Sequence, residues 1–286
     1  MNKLFRRFLA YTIDMMVVIL VVQSISGIPQ INPQLDDYNK YYDDYMESYQ
    51  SYSSFKQDLK TDFSDKELSI EEYDSLVKEH DLYKEVLDKY YKDNTLTENN
   101  YKKLNNQIDG DYNKEYKKVY YQIEKNSILY FVLYLVVVFA YFVGFNYYTN
   151  GQTLGKKLMR LKIVDSKDIE KRVGIWSYII RAIILYQVLY YLIKLIGVYT
   201  MSADLYYTVT SVFYSVQYYL EMLIVLMSMI RIDGRGPHDL LARTRVMQYD
   251  RKGQEVKDKF DLMLSKKKKD LKKEKKKIIE EPTDEE

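Results

Sequence analysis

Asp14, Arg181 and Glu221 are ionisable residues set inside runs of apolar sequence. An ionised group in hydrocarbon costs at least about 2.5–3.5 kcal/mol. Chains keep such groups where they face a protein interior, a wet cavity or a counter-charge. At the rise of an α-helix, Asp14 and Arg181 would lie ~9 Å from the inner ends of their helices and Glu221 ~13 Å. Two chemistries follow from three charges at similar depth. One is a cation or proton site, in which a carboxylate alternately holds a proton and a metal ion while Arg181 tunes its affinity. The other is an Asp14–Arg181 ion pair, shared with Glu221, that fixes helix packing. The residue types leave both open.

Those residues need helices that cross a bilayer. Four stretches have the ~20 apolar residues this requires: 8–27, 128–148, 175–199 and 209–230. The first could be mistaken for a signal peptide, but Asp14 in its apolar middle argues that it stays attached. Basic residues set the orientation. Lys3, Arg6 and Arg7 precede the first span, and Lys156, Lys157, Arg160, Lys162, Lys167, Lys171 and Arg172 lie between the second and third. Residues 31–125 contain no arginine and 22 acids against 14 lysines, a net charge of −8. Both termini and the 149–174 segment are therefore expected in the cytoplasm, and 31–125 outside. Lys194, near the outer end of the third span, is expected to snorkel to the headgroups.

The 31–125 insert has helical periodicity. Tyr38, Tyr42, Tyr45, Tyr49, Tyr52, Phe55 and Leu59 recur at spacings of three and four, one stripe on one helix. A second helix is predicted from Ser69, where Ser69 and Glu72 form a capping box, with the stripe Ile70, Tyr73, Val77, His80, Tyr83, Leu87 and Tyr90. A third starts after Thr97 and carries Tyr101, Leu104, Ile108, Tyr112, Val119 and Ile123. The chain must leave and re-enter the membrane on one side, so an even number of vertical helices is simplest. A break at Asp109-Gly110-Asp111 would supply it. The Tyr stripes read first as a bundle core and second as a surface for a partner. His80 falls on its apolar stripe, and one histidine alone could not hold a metal.

Other chemistry is excluded or weak. The chain has no cysteine, so disulfides and thiolate metal sites are absent. Its only histidines are His80 and His238, and no His/acid cluster shows metal-ligand spacing. No cofactor is expected, and no nucleophile–base pair is readable, so the chain is not expected to be an enzyme. Gly151-Gln152-Thr153-Leu154-Gly155-Lys156-Lys157 looks like a phosphate-binding loop, but a P-loop needs four residues between its glycines and Ser or Thr after the lysine. It reads better as a turn leading into a basic, interfacial piece, 156–164. Residues 161–164 are a candidate short strand, with 244–247 as a mate. The tail after 252 is rich in lysine, at 266–269, 272, 273 and 275–277. It is expected to be solvated and attracted to anionic inner-leaflet lipids. Nucleic-acid binding is not expected, since no recognition module accompanies the lysines.

Together these pieces resemble the RDD family of bacterial and archaeal membrane proteins, named for one arginine and two aspartates. The resemblance rests on Arg7, Ala10 and Asp14 in the first span; on Gly151, Thr153, Gly155 and Lys156 through Leu161–Asp165; on Arg181; and on Gly236-Pro237-His238-Asp239 through Thr244. It covers residues 1–28 and 126–250. The long insert and the lysine-rich tail lie outside it. Some members of that family are regarded as sodium–proton antiporters, and most have no assigned activity. The resemblance implies that Asp14 is the ion- or proton-binding acid, that Arg7 is its interfacial partner, and that Asp239 tethers the cytoplasmic return to Arg7 or the basic segment.

The resulting expectation is an all-α integral membrane protein of the plasma membrane with four transmembrane helices. Residues 1–29 form the first span, 30–125 an external helical insert, 126–250 the remaining core with its small cytoplasmic surface element, and 251–286 the tail. The expected function is monovalent cation/proton exchange through an intramembrane acid, as part of a homo-oligomer. The alternative is a non-catalytic adaptor or assembly protein whose insert binds an envelope partner.

Overall fold

The computed structural model describes residues 3–63, 68–92, 95–231 and 233–250. The charged tail expected at 251–286 lies outside the described residues. The protein is mostly helical. Helix α1 (Lys3–Ser26), the helix Ile128–Tyr148 and α11 (Ala203–Ile230) are each long and apolar enough to span a bilayer. The expected third span is instead two helices, α9 (Ile175–Leu185) and α10 (Val188–Thr200), bent by 68° at a short break. Counted as one broken span, they bring the total to four. No proline or glycine marks the break. Gln187 there adopts a left-handed conformation with φ 52°, while Tyr186 is buried against Phe142 with ring centroids 3.5 Å apart. Tertiary packing bends the chain where propensity would have continued the helix.

Helix Ile128–Tyr148 is not uniform either. It runs from α6 (Ile128–Val138) through a π-helical stretch, Phe139–Phe145, to α7 (Asn146–Tyr148). Such wide turns inside helices are frequent at functional sites.

The chain divides into two compact units. One comprises Met1–Ile25, Val132–Leu192 and the chain from Val212 onward; the other comprises Ser26–Phe131 and Ile193–Ser211. The second unit thus holds the insert together with parts of the helices that enter and leave it. Its long helices are α2 (Leu35–Asp62) and α5 (Glu98–Lys125), which pack on each other. Between them come α3 (Ile70–Glu79), a 3₁₀ turn at Asp81–Tyr83, and α4 (Lys84–Tyr90). The Ser69–Glu72 capping box forms as expected, and Thr97 accepts from the Asn100 N–H at the start of α5. The second predicted helix ends early, because His80 leaves the helical conformation at φ −130°, ψ 56°.

The predicted break at 109–111 does not occur. Helix α5 runs straight through Gly110, held on its inner face by buried Leu104 and Ile108 and by Tyr52 and Lys56, which donate to Asp109. Chain return comes from the pair α2 and α5, with α3 and α4 as a short corner. A Cβ on Gly110 would meet nothing within 4 Å. Gly110→Ala should therefore stabilise the insert by about 0.5–1 kcal/mol through helix propensity, seen as a raised melting midpoint of the detergent-solubilised protein.

The α2 stripe reaches the core only at its C-terminal end, where Phe55 and Leu59 are buried; Tyr38, Tyr45 and Tyr52 are half-buried, and Tyr42 and Tyr49 are exposed. Tyr52 stacks on Tyr112 at 4.0 Å, Phe63 on Tyr101 at 4.1 Å, and Tyr45 packs against Tyr116 at 5.5 Å. The same unit corrects the reading of Lys194. Its amine does not snorkel: it is buried, 2.6 Å from Glu124 and over the Phe131 ring, and the Tyr206 hydroxyl also donates to Glu124.

In the other unit, strand β1 (Leu161–Asp165) pairs antiparallel with β2 (Thr244–Gln248), in register Leu161↔Gln248 to Asp165↔Thr244. This is the expected pairing. Two strands alone are marginal in water. Here Leu161, Ile163, Val164, Val246 and Met247 are buried, and the ribbon is backed by α8 (Leu154–Leu158) and α12 (Pro237–Leu241).

Candidate functional site

The motif residues form two charged knots beside one cavity. The first knot is built around Asp14, which α1 buries almost completely. Its carboxylate caps α8 from a distant part of the chain. The Gly155 N–H donates to Oδ1 at 2.7 Å, the Tyr141 hydroxyl donates to the same oxygen at 2.7 Å, and the Thr153 hydroxyl donates to Oδ2. Lys156 Nζ lies 3.7 Å from Oδ2 and donates to Thr153 Oγ1 at 2.9 Å. Tyr141, carried by the π-helical stretch, also accepts from the Leu154 N–H. An acid at a helix N-terminus satisfies N–H groups that have no intrahelical partner and meets the positive end of the helix dipole.

Small residues make that approach possible. A Cβ on Gly155 would lie 2.3 Å from the Ala10 carbonyl oxygen, and Ala10 itself is buried. Gly151 turns the chain with φ 90°, and a Cβ there would meet the Ile163 carbonyl at 2.3 Å. Ala10, Asp14, Thr153, Gly155 and Lys156 are thus one contact. Lys156 points inward and is not an interfacial residue as expected. Burial pushes its amine down to about 8, with Asp14 pulling the other way.

The second knot surrounds Asp239 of α12, which is fully buried. Arg181 donates to its Oδ1 and, at 2.8 Å, to Thr244 Oγ1. Arg7 donates to Oδ2 and to the Gly234 carbonyl. His238 Nε2 lies 3.3 Å from the same carboxylate. Burial alone would raise the Asp239 carboxyl, but Arg181, His238 and Arg7 outweigh it and hold it well below the usual range. Burial lowers the His238 imidazole against the pull of Asp239, and its Nδ1 has no hydrogen-bond partner among the described residues.

The Asp14–Arg181 pair anticipated from depth is therefore not made. Each carboxylate takes a different partner: Asp14 the α8 turn, Asp239 both arginines. The tether between Asp239 and Arg7 is present. Glu221, on α11, joins neither knot. It accepts from Gln187 Nε2 at 2.9 Å and Gln217 Nε2 at 3.2 Å, and no Lys, Arg or His pairs with it among the described residues.

The three acids and bases nevertheless meet across space. A cavity of about 590 Å³ is lined by Arg7, Asp14, Lys156, Arg181, Glu221 and His238, with Tyr11, Leu185, Tyr186 and Val225 among its apolar walls. Sequence reasoning missed Tyr141, Gln187 and Gln217. Gln217 and Glu221, four apart within an apolar run, carried a readable signal; Tyr141 and Gln187 carried none.

Residues 116–243 match the model of the RDD family. The matched stretch contains Gly151, Thr153, Gly155, Lys156, Arg181, His238 and Asp239, and leaves Arg7, Ala10, Asp14 and Thr244 outside. No curated protein and no solved structure matches the chain.

Proposed function

The chain belongs to the RDD family through residues 116–243, and from that premise we propose that it exchanges a monovalent cation for protons across the cell membrane, with Glu221 as the exchanging acid. The observation that carries this is the setting of Glu221. Glu221 lines the cavity, and its carboxylate is held by two amides, one of them from Gln187 at the break between α9 and α10. Broken spans with unwound backbone at membrane depth are where many transporters hold their ions. Amide donors position a carboxylate without neutralising it, which leaves its charge for a cation or a proton.

Asp14 then has a different role from the one the resemblance implied. With Tyr141, Thr153, Gly155 and Lys156 around it, it holds the α8 turn against α1, and Asp239 does the same for α12. Both termini in the cytoplasm, the plasma membrane as location, a lipid-facing α11 and assembly with a second copy belong to the same proposal. The adaptor reading keeps only part of the stripe: Tyr45 and Tyr52 pack on Tyr116 and Tyr112 within the insert, while Tyr42 and Tyr49 stay exposed.

The test is cation-driven pH change in proteoliposomes. Folded wild type is expected to acidify or alkalinise the lumen when Na⁺ or K⁺ is applied, and Glu221→Gln to reduce the rate at least about tenfold, an effect of ~1.4 kcal/mol on the barrier. Gln187→Ala should keep the exchange but raise the half-saturating cation concentration. Absent flux from folded wild type across several alkali cations would end the proposal, as would full flux from Glu221→Gln.

A further inference from the structure

We propose that the helical insert holds a divalent transition-metal ion, with Zn²⁺ as its natural occupant, between Asp58 of α2 and the Glu79–His80 pair at the end of α3. One ligand atom from each of these residues lies within 4.8 Å of the other two. His80 Nε2 is 2.8 Å from Asp58 Oδ2, and its imidazole is nine-tenths buried. The ring is fixed edge-on against Phe55, with centroids 5.4 Å apart. That contact aims Nε2 at the carboxylates and removes the rotational freedom a ligand would otherwise lose on binding.

The local backbone is what brings neighbours together. Adjacent residues of a helix point about a third of a turn apart and do not share a partner. Because His80 leaves the helix at φ −130°, ψ 56°, its ring and the Glu79 carboxylate converge on Asp58, which comes from another helix. One histidine is too few for a site when the chain is read linearly; folding adds the two acids.

Charge points the same way. Among the described residues, no lysine or arginine pairs with Asp58 or Glu79, although Glu72 and Asp62 crowd the same corner. Burial raises the Asp62 carboxyl, and the charges of Glu72, Asp58 and Glu79 raise it further. A bound dication would relieve that repulsion.

The donor set selects the ion class. An imidazole nitrogen and carboxylate oxygens are both ligand types that Zn²⁺ accepts, and three protein ligands leave a fourth position for water. Ca²⁺ prefers six to eight oxygens, and Mg²⁺ octahedral oxygen ligation, so neither makes good use of the ring. At metal–ligand distances of 2.0–2.2 Å, tetrahedral ligand atoms stand about 3.3 Å apart. Small side-chain rotations of Asp58 and the exposed Glu79 would bring the three atoms to that spacing.

The experiment uses the full-length protein in detergent, stripped with chelator and titrated with ZnCl₂ by calorimetry in the presence of excess Mg²⁺. Co²⁺ is used in parallel for its visible ligand-field absorption. Wild type should bind one Zn²⁺ saturably, and Co²⁺ should give the intense bands of a tetrahedral site. Glu79→Gln, at an exposed position that leaves the fold intact, should weaken binding at least about tenfold. His80→Asn should abolish it, and Glu71→Gln, an exposed acid of the same helix, should bind as wild type. No saturable binding by folded wild type would overturn the proposal. So would equal affinities in wild type and Glu79→Gln, whether or not His80→Asn folds.

Discussion

Gly155→Ala should cost the protein about 1–3 kcal/mol from overpacking and about 1 kcal/mol more if the α8 cap is lost. The added methyl would stand 2.3 Å from the Ala10 carbonyl and 2.9 Å from Asp14 Oδ1. Neither neighbour is the free end of a flexible side chain: one is the backbone of α1, the other a carboxylate held by four groups. Relief therefore requires α8 to move away from α1, which lengthens the Gly155 N–H bond to Asp14 and loosens Thr153 and Tyr141 with it. The measurement is the thermal midpoint in detergent. A clear fall is expected for Gly155→Ala, in contrast to the rise expected for Gly110→Ala. An unchanged midpoint would mean that the α1–α8 contact is not tight in solution.

Asp239→Asn is the second large effect, about 3–5 kcal/mol. Its amide cannot neutralise Arg181, which is buried, or Arg7, which is nearly so. The variant leaves two guanidinium groups facing each other without a counter-charge. Arg181→Met in the same background should recover part of the loss, because it removes one of the stranded charges. The pH dependence has a definite sign. The Asp239 carboxyl is held well below its ordinary value in the folded protein, so its contribution is present above the unfolded carboxylate value of about 3.9. It disappears as pH falls through the lower folded value. Acid unfolding of wild type should therefore contain a component below about pH 4 that Asp239→Asn lacks. An Asp239→Asn protein as stable as wild type at neutral pH would show that this knot does not hold α12.

Local features were the ones legible in the chain. Ser69 and Glu72 make their capping box within four residues, and the strands 161–165 and 244–248 have apolar patterns that match when paired. The stripe of α2 gave the helix and one face, because a helix repeats its faces every 3.6 residues, but only Phe55 and Leu59 of that stripe are buried. Legibility failed where the local signal was weaker than a distant contact. Gly110 looked like a break, yet α5 continues across it, anchored by buried Leu104 and Ile108 before the glycine and by the Tyr52–Tyr112 stack after it. Tyr186-Gln187 looked like ordinary helix, yet packing of Tyr186 on Phe142 accompanies a 68° bend.

The charges divide along the same line. The amino-acid sequence by itself determined that the chain enters a membrane, that its apolar runs carry ionisable residues, and that these must find partners, because hydrocarbon tolerates apolar helices and penalises bare charge. It also carried the resemblance to the RDD family, whose model matches residues 116–243. Which charge meets which was decided only by the tertiary structure. Asp14 and Thr153 are 139 positions apart and Arg7 and Asp239 are 232 apart. No periodicity encodes a contact at such separation, and depth along a helix axis leaves rotation about that axis undetermined. Rotation turned Arg181 to Asp239, left Glu221 to its two glutamines, and set Asp14, Arg181 and Glu221 around one cavity.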